Sequence, residues 1–467
     1  MTRSRVFRLT LVLTLTMWVL IADKAVGQTY TDLHDFNCAT EGCGPDYTSL
    51  LAQGRDGNLY GTASFGGLYG DGTIFRIAAN GSVTTLHNFD GTDGMYPYGG
   101  LILGADGNFY GTTFYGGANN LGTLFRVTPS GVLTVLHAFG GGVSDGTLPM
   151  STPTLANDGN YYGVAEVGDN THDGMMYKYS PSSGYTIVAT LGNNIPGSGL
   201  FAPLIQGIDG NFYSTSYDGG VNGSGTVYSL SPTGAVNVIY NFDTLHGGWG
   251  YAPVVQDSQG NLFGTEAQGG TDDGGVIFGT TTSGNFKSLY NFINYCPGQA
   301  YGCVPAGGLV FGNDSNLYGS TYRGGPNNDG VFFKITRAGA YTQLATLNGA
   351  NGAGLVGTPI QHTSGTIYGL ASTGGAYGGG VLYSLNVGLK PFVSLLFSSG
   401  KAGTLVGILG QGFSTAHSVS FNGVASSFKV ISKGYLVAKI PSGATSGFVV
   451  VQTSTKTFKS NRQFVIQ

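Results

Sequence analysis

Apolar and aromatic residues recur along the chain in short bursts of alternation closed by glycine-bearing turns, and the bursts themselves repeat. The clearest is Asp106-Gly-Asn-Phe-Tyr-Gly-Thr-Thr113. Its Asn108 has counterparts at Asn58, Asn160, Asn211, Asn261, Asn316 and Thr366, in steps of 50, 52, 51, 50, 55 and 50 residues. A period near 50 marks a propeller or a solenoid. Alternation bounded by Gly, Asp and Asn predicts strands joined by hairpin turns. Within one repeat four strands are predicted, at 100–104, 108–113, 122–128 and 132–139. Short turns join the first to the second and the third to the fourth. Long, variable segments, 114–121 and 140–151, make the other two connections.

Four antiparallel strands per unit, seven times over, describe the blades of a β-propeller. Two aromatic columns support the alignment: Tyr60, Tyr110, Tyr162, Tyr213, Phe263, Tyr318 and Tyr368, and Phe75, Phe125, Tyr177, Tyr228, Phe278, Phe333 and Tyr383. Both read as blade-to-blade packing. The seventh repeat stops after Leu385 without a fourth strand, whereas Thr31-Asp-Leu-His-Asp-Phe36 matches the fourth strands Thr84-Thr-Leu-His-Asn-Phe89 and Thr134-Val-Leu-His-Ala-Phe139. An N-terminal strand completing the last blade would close the ring and remove its open edges.

Gly107-Asn-Phe-Tyr-Gly-Thr-Thr113, Gly116-Gly117, Gly122-Thr-Leu-Phe-Arg126 and Leu136-His-Ala-Phe139 resemble the Gloeo-Verruco tandem repeat of exported bacterial proteins, over about residues 30–386. That resemblance implies the architecture and no assigned activity. Beyond Gly388 the composition changes: residues 390–467 hold eight Lys or Arg and no Asp or Glu, while residues 28–389 hold eight basic and 23 acidic residues. The formal charges are +8 and −15. Gly403-Thr-Leu-Val-Gly-Ile-Leu-Gly-Gln-Gly-Phe413, Val419-Ser-Phe-Asn-Gly423 and Gly447-Phe-Val-Val-Val-Gln452 resemble the immunoglobulin-like TIG (IPT) module, a small β-sandwich. The expected division is a leader at 1–27, a propeller at 28–388 and a sandwich at 389–467. A basic module suits nucleic acid, but no run of adjacent basic residues lines a phosphate track. Docking against the acidic propeller or an anionic envelope polymer is the preferred reading.

Composition fits this picture. The 467 residues include 83 Gly and only 9% charged residues, yet 28 Tyr and 27 Phe supply what a disordered chain lacks. Arg3, Arg5 and Arg8 precede an apolar run, 9–22, and Ala25-Val26-Gly27 offers small residues for cleavage before Gln28. This reads as a secretory signal, so the mature chain is expected to be exported or at the cell surface, monomeric and without a membrane span. In an oxidising compartment the four cysteines are expected to form local disulfides, Cys38 to Cys43 and Cys296 to Cys303.

Long variable loops on a rigid scaffold are where sites tend to lie. In this strand order both long connections emerge on one face of the ring, and the copies disagree most just after Tyr-Gly-Thr. The candidate ligand-binding residues there are Phe65, Tyr115, Glu166, Tyr217, Asp218, Glu266, Gln268, Tyr322 and Arg323, with Tyr96, Tyr98, Trp249, Tyr251 and Tyr301 from the crossings between blades. Aromatic rings beside hydrogen-bonding groups suit sugars. The expected role is therefore non-catalytic recognition of a glycan or surface protein, with no nucleic acid and no cofactor. The alternative is a glycoside hydrolase or polysaccharide lyase using Glu166 and Glu266 as its carboxylates. His34, His87 and His137 share a column on an outer strand and do not predict a metal site. Asp56, Asp106, Asp158, Asp209 and Asp314 read as turn caps, and denser acidic loops such as Thr271-Asp-Asp-Gly274 leave calcium as a minor alternative, although their spacing matches no calcium loop.

Overall fold

The computed structural model describes residues 28–45, 50–142, 145–166, 174–192, 197, 199–294, 296 and 302–467. The expected leader and Tyr301 lie outside the described residues. Seven four-stranded antiparallel sheets form the blades of a propeller, and a four-stranded and a five-stranded sheet follow. The blades span 52–88, 102–138, 154–191, 205–241, 255–293, 310–346 and 360–386, here blades 1 to 7. Blade 2 contains Ile102–Leu103, Phe109–Thr113, Thr123–Val127 and Leu133–Ala138, in that hydrogen-bonded order. Its first strand is shorter than predicted because the chain turns at once: the Gly104 amide donates to the Asn108 carbonyl (2.8 Å) and the Gly107 amide to Gly104 (3.0 Å). Burial falls from the second strand, wholly buried, to the fourth, which is half-buried to exposed.

The Asp-Gly-Asn-x-Tyr signature is a scaffold device. Asp106 Oδ1 accepts the Asn108 amide at 3.1 Å, and its Oδ2 accepts Asn108 Nδ2 at 2.6 Å and the Tyr110 hydroxyl at 3.1 Å. Burial raises the Tyr110 phenol to about 12, so it donates at all ordinary pH. Its ring stacks on Tyr161 of the next blade at 3.9 Å. Blades 1, 3, 4 and 6 repeat the arrangement. In blade 5 the cap comes from Asp257, two residues nearer the first strand, and the tyrosine is Phe263, which needs no acceptor. Removing the hydroxyl in Tyr110→Phe leaves stacking intact but deprives a carboxylate of one donor. It should cost about 1 kcal/mol in urea unfolding, and Phe263→Tyr should gain nothing.

Ring closure follows the prediction. Thr29–Asp35 pairs antiparallel with Val381–Asn386 of blade 7. Every outer strand carries a bulge at the same place, for example between the pairs Leu124–His137 and Phe125–Val135 of blade 2. The N-terminal strand carries it too, between Asp32 and His34. The bulged residue packs over the turn glycine of the next blade, Leu86 on Gly131 and Leu289 on Gly339, and Leu33 does so on Gly81 of blade 1. Thus the first strand occupies its blade as a true fourth strand.

The C-terminal domain packs Leu405–Leu409, Tyr435–Lys439 and Phe428–Ser432 against Thr457–Ile466, Gly447–Thr453 and Ala416–Phe421. Val406, Ile408, Phe421, Leu436, Val449 and Phe464 fill the core between them. This sandwich docks on the short-turn face of the propeller. Arg55 lies over the Tyr435 ring at 4.3 Å, Ser432 Oγ donates to the Arg55 carbonyl at 2.6 Å, and the Ser398 amide donates to Asn157 Oδ1 at 2.8 Å. Gln411 Nε2 donates to Thr363 Oγ1 at 2.9 Å. Leu409 and Tyr435 join the apolar cluster of Ala52, Leu101 and Leu103. No ion pair between the domains occurs among the described residues, so docking is apolar and hydrogen-bonded, and the opposite net charges do not act through direct contacts.

Candidate functional site

With the short-turn face partly covered, the long-loop face is the open one. Its frame is a left-handed residue in every crossing: Gly44, Tyr96, Leu148, Gly199, Trp249, Val304 and Gly354, all with φ between 53° and 68°. Four of these carry side chains that disfavour such backbone. The conformation persists because hydrogen bonds to two blades fix it. The Val304 amide donates to Gly274 of blade 5 (2.8 Å), and its carbonyl accepts the Tyr322 amide of blade 6 (2.8 Å). Tyr96 is held likewise by Asp71 (2.9 Å) and Phe114 (3.0 Å). The side chains of Tyr96, Trp249 and Val304 are thereby set at the seams between blades.

One seam forms a cleft of about 280 Å³, between blades 5 and 6, lined by Gln268, Asp273, Asn294, Val304, Tyr322 and Arg323. Three of these residues, Gln268, Tyr322 and Arg323, are among those the sequence singled out. Arg323 is exposed, with its guanidinium 5.6 Å from the Tyr322 ring centre. Asp273 accepts the Gly269 amide (3.0 Å) and Asn294 Nδ2 (3.3 Å), which holds its carboxylate in place. The Cys296–Cys303 disulfide, with Cα atoms 5.8 Å apart, braces the rim, and Cys303 and Arg323 exchange backbone hydrogen bonds at 2.9 and 3.2 Å. The Cys38–Cys43 disulfide stands at the same place in blade 1, where Cys43 exchanges bonds with Phe65 at 2.8 and 3.0 Å. Sequence reading did not assign Asn294 and Val304 to a site. Val304 carries one signal, since its place in the crossing varies between Gly and bulky side chains from blade to blade, and Asn294 carries none.

The remaining aromatic candidates pack on each other. Phe65, Tyr96, Tyr98 and Tyr115 form one half-buried patch at blades 1 and 2, with ring centres 5.1 Å apart for Phe65–Tyr96 and 6.2 Å for Tyr96–Tyr115. Tyr217 and Tyr251 form another with Phe201 at blades 4 and 5, at 4.9 and 5.5 Å. Trp249 is half-buried beside that second patch, next to Gly248, which bridges to Gln268. Asp218 lies next to Tyr217 and is likewise half-buried.

Glu166 and Glu266 lie in blades 3 and 5 with blade 4 between them. They are also offset by one position relative to the tyrosine column, which turns side chains to opposite faces of a strand. Glu166 is partly exposed. Glu266 is fully buried, and both its carboxyl oxygens lack a hydrogen-bond partner among the described residues. Burial pushes its carboxyl well above the usual carboxylate range. The other blades have Ala, Thr or Ser at this place, and blade 5 accommodates the larger side chain through a second change. A Cβ at Gly250 would lie 2.8 and 3.0 Å from the two carboxyl oxygens and 2.9 Å from Thr215 Oγ1. The corresponding residues elsewhere are Pro45, Pro97, Pro149, Leu200, Pro305 and Leu355.

The histidine column forms separate latches: His34–Glu41 at 2.8 Å, His87–Asp93 at 2.7 Å and His137–Asp145 at 3.0 Å. Each ties an outer strand to its following loop. Among the described residues no three His, Cys, Asp or Glu side chains converge as a metal set, and the Asp273 carboxylate of the dense acidic loop is bonded within the cleft wall as above.

The Gloeobacter/Verrucomicrobia repeat matches residues 19–166 and 142–303, and the IPT/TIG domain matches residues 391–466. No curated protein matches the chain. Among solved structures, the BP39L lectin from Burkholderia pseudomallei aligns at 12% identity over 72% of this chain and 95% of the lectin, with a TM-score of 0.49. A putative 6-phosphogluconolactonase from Bacteroides uniformis aligns at 15% identity over 63% of this chain and 82% of its own, with a TM-score of 0.42. A puromycin hydrolase aligns at 11% identity over 71% and 53%, with a TM-score of 0.45. At such scores these likenesses carry no functional weight.

Proposed function

We propose a glycan-binding, non-catalytic role for this chain, which belongs to the Gloeobacter/Verrucomicrobia repeat family and ends in an IPT/TIG domain. The observation that carries the reading is the cleft between blades 5 and 6. Its volume, about 280 Å³, suits a single sugar ring. Its lining has what such a ring needs: amides that donate and accept (Gln268, Asn294), an acceptor (Asp273), a multiple donor (Arg323) and the aromatic ring of Tyr322. Disulfide bracing and left-handed Val304 hold that lining in place, which reduces the ordering cost of binding.

Glycoside cleavage ordinarily needs two facing carboxylates. Among the described residues that line this cleft one carboxylate occurs, that of Asp273, which supports recognition rather than cleavage. The two disulfides suit an oxidising compartment, so we place the protein outside the reducing cytosol, as the basic and apolar N-terminus also suggests.

The test is a glycan array probed with residues 28–467. Arg323→Ala and Tyr322→Ala should each weaken binding to any hit by tenfold or more with unchanged melting, while Tyr115→Ala, on the remote aromatic patch, should not. Products appearing on incubation with the hit would favour the hydrolase or lyase reading. Binding indifferent to both cleft variants would sink this assignment.

A further inference from the structure

We propose that the sandwich is an anchor for acidic polysaccharide, specifically a carboxylate-bearing polyuronate, and that it leaves the long-loop face of the propeller pointing away from the anchoring polymer. The inference is independent of the glycan reading above. Residues 390–467 carry seven lysines, one arginine and no acidic side chain. All seven lysines are exposed, and none has an ion-pair partner among the described residues. At the domain interface the cation in ring contact, Arg55, belongs to the propeller, and Lys390 of the sandwich meets the propeller through its backbone carbonyl, which accepts from Asn313 Nδ2. The charge of the sandwich is therefore not consumed by docking.

One of the lysines, Lys439, lines a groove, and two more flank its lining residues in sequence. The groove, about 520 Å³, is lined by Ala402, Gly403, Ser427, Lys439, Pro441 and Ser442, among others. Lys401 directly precedes its wall, and Lys429 stands two residues beyond Ser427 on the strand Phe428–Ser432. Lys429 and Lys439 point outward, from neighbouring strands in which Lys429 lies opposite Val437. An extended acidic chain could lay a carboxylate against each lysine while the Ser427 and Ser442 hydroxyls meet sugar hydroxyls.

Charge alone does not separate a polyuronate from nucleic acid. Two features do. The cations are almost all lysine, whereas planar, bidentate recognition of phosphate favours arginine, and among the described residues no fully exposed aromatic ring lines the groove to stack a base, the neighbouring Phe428 being half-buried. The disulfides in turn suit a compartment where acidic glycans are the common polyanions. Geometry adds the consequence for orientation. The propeller contacts of the sandwich, Arg55, Asn157 and Thr363, lie on the short-turn face, so the long-loop cleft stays free.

The experiment measures binding of residues 28–467 to immobilised polygalacturonate, with fully methyl-esterified polymer, duplex DNA and anionic phospholipid vesicles as parallel arms. Binding to polygalacturonate should fall at least tenfold between 50 mM and 500 mM salt, and the ester should bind at least tenfold more weakly than the acid. The triple variant Lys401→Gln, Lys429→Gln, Lys439→Gln should lose tenfold or more with unchanged melting. The charge-matched propeller triple Lys178→Gln, Lys287→Gln, Lys334→Gln should lose less than twofold. The proposal is overturned if the ester binds equally, if both triples lose equally, or if DNA or vesicles bind more tightly than polygalacturonate.

Discussion

Glu266→Gln is expected to make the protein more stable at pH 8 and to flatten its pH dependence. The carboxyl is fully buried, has no partner among the described residues, and is pushed upward by desolvation. The folded state therefore holds its proton where an unfolded glutamic acid, with a value near 4.3, has lost it. More protons bound in the folded state means that stability falls as pH rises. The loss begins near the unfolded value and continues until pH passes the raised folded value, with a slope approaching about 1.4 kcal/mol per pH unit. Glutamine has no proton to lose, so the gap between variant and parent should widen from pH 5 to pH 8 in urea unfolding. Parallel curves would show that Glu266 is ionised and compensated in the fold. Gly250 is the built-in control: Gly250→Ala crowds both carboxyl oxygens and should be tolerated better in a Glu266→Ala background than in the parent chain.

The second large effect is at the closure of the ring. Phe36, 1% exposed, directly follows the N-terminal strand, packs its ring 5.1 Å from Phe75 of blade 1, and donates its amide to Gly380 of blade 7 (3.0 Å). Phe36→Ala should cost about 3–5 kcal/mol, as expected for emptying a buried aromatic site. Phe89 holds the same place in blade 1, and its ring lies 5.4 Å from Phe125. The contrast lies in what is exposed afterward. Outer strands elsewhere stay tethered to their blades by a hairpin, whereas Thr29–Asp35 is held to Val381–Asn386 only by pairing and packing. Removing residues 28–36 should therefore bare a long unpaired edge and add concentration-dependent light scattering that Phe89→Ala does not show. Equal behaviour of the two proteins would mean that the ring does not depend on this strand for closure.

Much of this was legible in the residues alone. The period, the four strands per unit and the missing last strand predicted a closed seven-bladed ring. The Cys pairs, each set in a single crossing, predicted their own bridges. Local chemistry did the work in each case, since an Asp before a turn Gly and a Tyr two residues after Asn solve the same problem in every copy. The site was less legible. Gln268, Tyr322 and Arg323 could be named because repeats disagree there, but Asn294 and Val304 come from other connections, and nothing in their spacing says that they share a wall. Glu166 and Glu266 look equivalent among the acidic loop residues, yet a one-residue offset buries one and leaves the other at the strand end.

The sequence by itself determined the blade and its repetition, because strand, turn and cap are encoded within some fifty consecutive residues and the hydrogen bonds that satisfy them are local. Only the tertiary structure decided what lies between blades. It placed the cleft at the seam of blades 5 and 6, enclosed Glu266 beside Gly250, and set the sandwich on the short-turn face through Arg55 and Tyr435 rather than through opposite charges. Those outcomes depend on which side chains from distant repeats meet in three dimensions, and a period of fifty carries no information about that.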